Sequence, residues 1–214
     1  MDDFLEILRN DHHQFDAGKL EDHFGNNPMD LLASWLREAT EKGVSEPNAI
    51  AISTIGLNNF PHTRIVYLRE LLEEGFVFYT NYNSEKGKAI EVNSNVHGLL
   101  FWPGLERQIS ITGVAEKIPT EMSDAYFEGR PRGSKLGAWA SNQSEHLESR
   151  EELENRVKDF AKKFPNDVPR PPHWGGYLVK PIRFEFWQGR PSRLHDRIVF
   201  EQKNNQWIIY RLNP

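Results

Sequence analysis

Hydrophobic positions change period several times along the chain, and each change marks an element. Residues 1–27 hold few apolar side chains in no sustained pattern, which predicts a mobile N-terminal segment ahead of one domain over 28–214. Leu31, Leu32, Trp35, Leu36 and Ala39 then recur at helical spacing. Asn27 is placed to cap that helix, Pro28 to occupy its first turn and Gly43 to end it. From Ala49 the period becomes that of strands. Ala49–Ile55 and Pro61–Leu68 predict a hairpin about Gly56–Phe60, and Gly75–Asn81 a third strand. Ser84 is positioned to cap a short helix to about Asn93. Val96–Trp102 and Arg107–Lys117 predict two more strands around a Pro103-Gly104 turn. Thr120–Gly129, Ser134–Ser141 and Glu148–Phe164 predict helices, the last with Leu153, Val157, Phe160, Ala161 and Phe164 on one side. Tyr177–Trp187, Arg197–Gln202 and Trp207–Leu212 complete the strands. Short strands with few long helices predict a mainly β chain with flanking helices, an antiparallel barrel or sandwich and not a βαβ sheet.

One stretch carries unusual chemistry for its pattern. Phe184 and Phe186 alternate with Glu185 and Trp187, Gly189 and Pro191 break the run, and Ile198-Val199-Phe200 resumes it. Arg193, His195 and Arg197 fall every second residue where the second strand is expected to begin. In an extended chain they share a face, and three such groups resist burial unless something anionic or electron-rich lies against them. Trp187, across the turn, offers a flat apolar wall.

Composition narrows the class. Six Trp and thirteen Phe supply bulky core anchors, so a core is available without disulfides, and there are no cysteines to form them. The net charge of −5 argues against bulk nucleic-acid binding, so an anion site must be a local concentration of Arg and Lys. No apolar run is long enough to span a membrane, the N-terminus lacks an apolar signal core, and a cytoplasmic protein is the expectation. The eight His are scattered without a His-Glu-x-x-His or a tight acidic cluster, so no metal site is expected. No Gly-x-Ser-x-Gly elbow and no Gly-x-Gly-x-x-Gly after a strand are present, which disfavours a serine hydrolase and a dinucleotide fold.

Three local groups have the chemistry of anion binders. Arg64 and Arg69 lie on the second strand and its end. Lys86 and Lys88 stand at the start of the helix after Ser84, where backbone N–H groups and a hydroxyl favour phosphate. It is not a P-loop, since the upstream glycine is missing and Ala89 stands where Ser or Thr is needed. Tyr126, Arg130 and Ser134, four apart, offer two hydroxyls and a guanidinium from one helical face or from a helix end and turn.

Taken in order, several strings resemble the pyridoxine (pyridoxamine) 5′-phosphate oxidases. They are Arg64-Ile65-Val66-Tyr67-Leu68, Phe78-Tyr79-Thr80-Asn81, Leu105-Glu106-Arg107-Gln108, Arg130-Pro131-Arg132-Gly133-Ser134 with Gly137-Ala138-Trp139, Ser141-Asn142-Gln143-Ser144, Trp174-Gly175-Gly176, the 185–197 stretch and Arg211-Leu212-Asn213-Pro214. The resemblance runs from about Pro28 to Pro214. It implies an antiparallel split β-barrel of the FMN-binding type, and a homodimer with FMN at the interface. By the same resemblance, FMN is held by the Arg64–Arg69 segment (Arg64, Ile65, Val66, Tyr67, Leu68, Arg69), by Tyr79, Thr80, Lys86, Gln108, Gln143 and Ser144, and by Trp187 and Arg197. The substrate is held by Arg9, Arg69, Tyr126, Arg130, Ser134, Arg193, Leu194 and His195, with Arg193 and His195 catalytic. The implied reaction oxidises pyridoxine or pyridoxamine 5′-phosphate to pyridoxal 5′-phosphate by hydride transfer from C4′ to flavin N5, with dioxygen reduced to hydrogen peroxide. Three positions depart from the family pattern: Arg69 stands for a usual Lys, Glu85 for a residue that is often basic, and His12 for a lid Tyr. Two other readings stand beside this one. One is a related split-barrel flavin oxidase acting on another ring, such as a phenazine-pathway oxidase; the other is a non-catalytic carrier of FMN or pyridoxal phosphate.

Overall fold

The computed structural model describes residues 9, 14–20 and 25–214. The 1–27 segment therefore falls largely outside the described residues, as does His12. These residues gather into two compact units. One comprises the described residues up to Pro47, Phe101–Ser110 and Arg183–Pro214; the other comprises Asn48–Leu100 and Ile111–Ile182.

In the first unit, α1 (Pro28–Glu41) begins as its sequence requires. Asn27 Oδ1 accepts the Met29 N–H at 3.0 Å, and Pro28 spends no donor. Gly43, at φ 73°, follows the helix end. Leu32, Trp35 and Ala39 form its buried stripe. Trp35 meets Phe186 edge-on at 5.3 Å, and Arg107 lies 4.5 Å over its indole while pairing with Glu38. The C-terminal strands β8 (Asp196–Lys203) and β9 (Gln206–Arg211) form a hairpin, and β8 pairs with residues 183–188 of β7 (Trp174–Gln188). Phe184, Phe186, Ile198, Val199 and Phe200 are fully buried there. Each such side chain contributes ~1.5–3 kcal/mol relative to exposure.

The second unit holds the hairpin of β1 (Ala49–Ile55) and β2 (Pro61–Tyr67), paired from Ala49↔Tyr67 to Ile55↔Pro61. It also holds β3 (Glu70–Leu72), β4 (Gly75–Asn81), α2 (Glu85–Val92) and most of β5 (Asn95–Trp102) and β6 (Arg107–Lys117). Three helices follow: α3 (Thr120–Glu128), α4 (Arg132–Ala140) and α5 (Arg150–Lys163). The sheet runs β2-β1-β5-β6-β7-β4-β3, with β8 and β9 attached through β7. On β1, Ile50, Ile52 and Thr54 turn inward. On β2 the alternation puts His62, Arg64 and Val66 on the half-buried face and leaves Ile65 62% exposed on the other.

The strand pattern agrees with the sequence expectation except in β3, at the start of β7 and at the start of β8. β3 is too short to leave a periodic signal. β7 starts at Trp174 rather than Tyr177, because Gly175-Gly176 reads as a break. Gly175 is instead an in-strand residue, paired with Thr80, where a Cβ would stand 2.2 Å from the Tyr82 hydroxyl. Among the described residues, no helix is long and apolar enough to cross a membrane.

Candidate active site

The second unit contains a cavity of about 1410 Å³, and several stretches far apart in the sequence converge on it. β2 contributes Arg64 and, just past its end, Arg69; β4 contributes Tyr79 and Thr80; α2 contributes Lys86; the α3–α4 junction contributes Tyr126, Arg130 and Ser134. Gln143 and Ser144 close one side from the segment after α4. Of the candidate flavin and substrate residues, Ile65, Val66 and Tyr67 also line it, whereas Leu68 is buried in the core and does not.

At one end the positive charge is concentrated by burial. Lys86 is only 7% exposed, and its Nζ donates to Thr80 Oγ1 at 3.1 Å, Ser84 Oγ at 3.2 Å and Gln143 Oε1 at 3.1 Å. Burial, with the Arg64 guanidinium nearby, draws its ammonium down to about 8. Arg64 donates to Ile52 O and Thr54 Oγ1, and burial lowers its proton affinity too. The backbone beneath is tight. Ser84 Oγ caps α2 by accepting the Gly87 N–H, and a Cβ on Gly87 would stand 2.0 Å from Tyr82 O. Ser144 holds a left-handed conformation (φ 73°), within a turn closed by Glu145 N–H to Asn142 O.

The other end is aromatic. Tyr79 stacks on Tyr126 with centroids 3.7 Å apart and planes 7° apart, and Trp174 lies 5.5 Å from Tyr79. The Tyr79 hydroxyl donates to Glu70 Oε1, and burial together with that carboxylate raises its proton affinity. Arg130 rests 4.4 Å over the Trp174 ring. Its Nη1 is buried without a hydrogen-bond partner among the described residues, which leaves a donor available to an anion in the cavity. Burial and then the neighbouring Arg69 lower its proton affinity. Tyr126 lies in the last turn of α3, Arg130 between the helices and Ser134 in the first turn of α4, so the fourfold spacing is realised as a helix end and turn. Trp174 and Glu70 escaped the sequence reading as site residues, because their roles depend on contacts with Tyr79 from other strands.

The remaining candidates belong to the first unit. His195 and Trp187 lie with ring centroids 4.7 Å apart, and Phe15 meets both edge-on at 5.2 and 5.7 Å. The Arg190 N–H donates to His195 Nδ1 at 3.1 Å. In the neutral ring the proton then resides on Nε2, which points a donor away from that bond. The expected single face of Arg193, His195 and Arg197 does not form. Pro191–Arg193 is a tight helical turn, Ser192 and Arg193 have φ of 58° and 60°, and β8 starts only at Asp196. Arg197 finds its anion within the chain: its Nε and Nη2 bind Glu185 Oε1 at 2.8 and 2.6 Å, and Nη1 donates to Asn213 O. Leu194 is 69% exposed. Gln108 lies on the part of β6 in this unit, and Arg9 is exposed with its neighbours outside the described residues.

Among the described residues, four cations and a single carboxylate line the cavity of a chain whose net charge is −5. Arg64 lies close enough to Lys86, and Arg69 to Arg130, for each to disfavour its neighbour's charge, and all four line the same cavity. A largely antiparallel protein with four cations in one aromatic-walled cavity has the chemistry to hold phosphorylated small molecules. Residues 36–164 match the model of the pyridoxamine 5′-phosphate oxidase family, and residues 174–214 that of the pyridoxine 5′-phosphate oxidase C-terminal dimerisation region. A pyridoxine/pyridoxamine 5′-phosphate oxidase of Leptospira biflexa is 51% identical over 195 residues, 91% of this chain and 92% of that protein. Its counterpart in Actinobacillus pleuropneumoniae is 48% identical over 210 residues, 98% of this chain and 99% of that one. The crystal structure of PhzG from Burkholderia lata, in complex with tetrahydrophenazine-1-carboxylic acid, superposes with a TM-score of 0.85 at 30% identity, over 92% of this chain and all of that one. The chain belongs to the pyridoxamine 5′-phosphate oxidase family, and its fold is the antiparallel split β-barrel of FMN-binding proteins.

Proposed function

We propose that the protein oxidises pyridoxine and pyridoxamine 5′-phosphate to pyridoxal 5′-phosphate with FMN as cofactor and dioxygen as final acceptor. The observation that carries this reading is the placing in one cavity of the buried, hydroxyl-flanked Lys86 beside Arg64 and of Arg130 with its unpartnered Nη1: the first suits the cofactor's phosphate, the second the substrate's. The donor set fits a flavin phosphate, since Lys86, Arg64 and the hydroxyls of Thr80 and Ser84 gather at the head of α2. Tyr126, Arg130 and Ser134, with Arg69, take the substrate phosphate, and the unpaired Arg130 Nη1 is its donor. Held there, FMN would supply the acceptor for a hydride from the substrate's C4′ and the route for its electrons to dioxygen. The chain's part is to hold two phosphates so that the rings between them meet in a reactive pose. Arg193 orients the substrate, and His195, with Nδ1 engaged by the Arg190 N–H, offers Nε2–H as a hydrogen-bond donor beside it. Arg197, locked to Glu185, and Trp187 complete the flavin surroundings, with Gln108 and the 65–67 backbone.

The working form is a homodimer with FMN at the interface. Ile65 and Tyr67, both cavity-lining and both exposed on edge strand β2, are apolar surface for a second copy to cover. A cytoplasmic setting accords with a chain that has no cysteine. A related oxidase acting on another ring has one observation in its favour, the PhzG superposition. The phosphate-binding pair at Arg130 argues against it. Turnover tests both. Pyridoxine 5′-phosphate is expected to be oxidised with hydrogen peroxide release, and Arg130→Ala to raise its KM by about two orders of magnitude, the worth of a charged hydrogen-bond pair. Equal turnover of unphosphorylated pyridoxine would overturn the reading.

A further inference from the structure

Glu85 is the single carboxylate among the described residues that line the cavity, and it stands in the first turn of α2 directly before Lys86. A carboxylate there favours the helix, but opposes any phosphate that the same helix start would hold. Its field reaches both cations of that end, raising the proton affinity of Arg64 and of Lys86. The carboxylate is not left free to them. Glu85 Oε1 pairs with His62 Nδ1, and His62 occupies the same face of β2 as Arg64, two residues before it. Glu85 is also half exposed at 51%, and faces a smaller adjoining cavity of about 320 Å³ that Lys88 lines. It therefore has room to swing between His62 and the Arg64–Lys86 pair.

We propose that Glu85 is an internal counter-ion competing with the cofactor phosphate for Arg64 and Lys86, and that His62 is the positioning residue that limits this competition by holding its carboxylate. The proposal rests on the reading of the Arg64–Lys86 end as the flavin-phosphate site. It gives the protein a deliberately moderated grip on FMN, in which loading depends on where one side chain lies.

The test is flavin fluorescence quenching during titration with the full-length apoprotein, using FMN and riboflavin as paired probes, since only FMN carries the phosphate. Glu85→Gln is expected to bind FMN about tenfold more tightly, ~1.4 kcal/mol, as one charge removed at close range in a protein medium implies. Its affinity for riboflavin is expected to stay within twofold of wild type. His62→Ala is expected to weaken FMN binding about threefold, His62→Asn, which keeps a donor, to restore most of it, and His62→Ala to have no effect when combined with Glu85→Gln. The proposal is overturned if Glu85→Gln leaves the FMN affinity unchanged, if riboflavin shifts in parallel, or if the His62→Ala effect persists without Glu85. A wild type that binds FMN while Glu85→Gln binds it equally sinks this inference alone. Failure of wild type and Glu85→Gln alike to bind FMN sinks the site assignment as well.

Discussion

Replacing Lys86 by Met separates what the buried ammonium costs from what it does. The side chains are of similar length, so the packing around position 86 is retained while the charge goes. In the apoprotein that charge is a liability. A lysine drawn from 10.5 to about 8 has about 3 kcal/mol weighing against its charged form at neutral pH. The neutral replacement strands little, because Thr80 Oγ1 donates to Gln143 Oε1, and Ser84 Oγ donates to Asn81 O while accepting the Gly87 N–H. Loss of the three lysine bonds offsets part of the gain, leaving the variant ~1–2 kcal/mol more stable at pH 7. For a chain of this length that is an increase in Tm of roughly 2–8 °C. The sign follows from linkage. The folded protein releases the Lys86 proton near pH 8 and the unfolded chain near 10.5, so wild type gains stability as pH rises across that window. The difference between variant and wild type therefore shrinks from pH 8 to pH 10.5. Against FMN the order reverses. Losing a charge-assisted bond to phosphate costs about 1.5–3 kcal/mol, or roughly 10- to 150-fold in Kd. Thermal melts of the apoprotein at several pH values and FMN titration by fluorescence measure both. A variant that binds FMN as wild type does, or whose apoprotein is less stable at pH 7, would refute the reasoning.

Other perturbations follow from the same geometry. Gly87→Ala forces a Cβ onto Tyr82 O, so it is expected to destabilise the fold by about 2 kcal/mol or more and to reduce FMN binding, read by denaturant unfolding and flavin titration. Glu70→Gln weakens the anchor of Tyr79 and hence the ring stacked on Tyr126; KM for phosphorylated substrate is expected to rise several-fold with kcat little changed, as steady-state assays would show. Glu185→Ala frees Arg197 from its carboxylate and is expected to cost about 2–3 kcal/mol by urea unfolding.

The elements were legible in the chain because their signals are local. Asn27-Pro28 and Ser84 start helices where the sequence places them, and the β1–β2 hairpin follows from alternation alone. The two ends of the cavity were legible as separate clusters of charge, at 64–69, 86–88 and 126–134. What the chain did not disclose depends on distant contacts or on backbone angles. The Tyr79–Tyr126–Trp174 stack joins β4, α3 and β7, and no periodicity links them. One of the three acceptors of Lys86 Nζ is Gln143 Oε1, far along the chain. Extending the strand period back to Arg193 failed because Ser192 and Arg193 turn left-handed, which side-chain alternation does not register. Arg197 was expected to need an external electron-rich partner, yet Glu185, two residues before Trp187, already supplies the anion.

The central claim, that the cavity brings a flavin and a phosphorylated pyridine together for oxidation, is tested most directly by absorption spectroscopy. The FMN-loaded protein is mixed anaerobically with pyridoxamine 5′-phosphate and then exposed to air. The account predicts bleaching of the oxidised flavin band on mixing, its return with oxygen, and one pyridoxal 5′-phosphate per cycle. A flavin that stays oxidised in the presence of saturating substrate would contradict it.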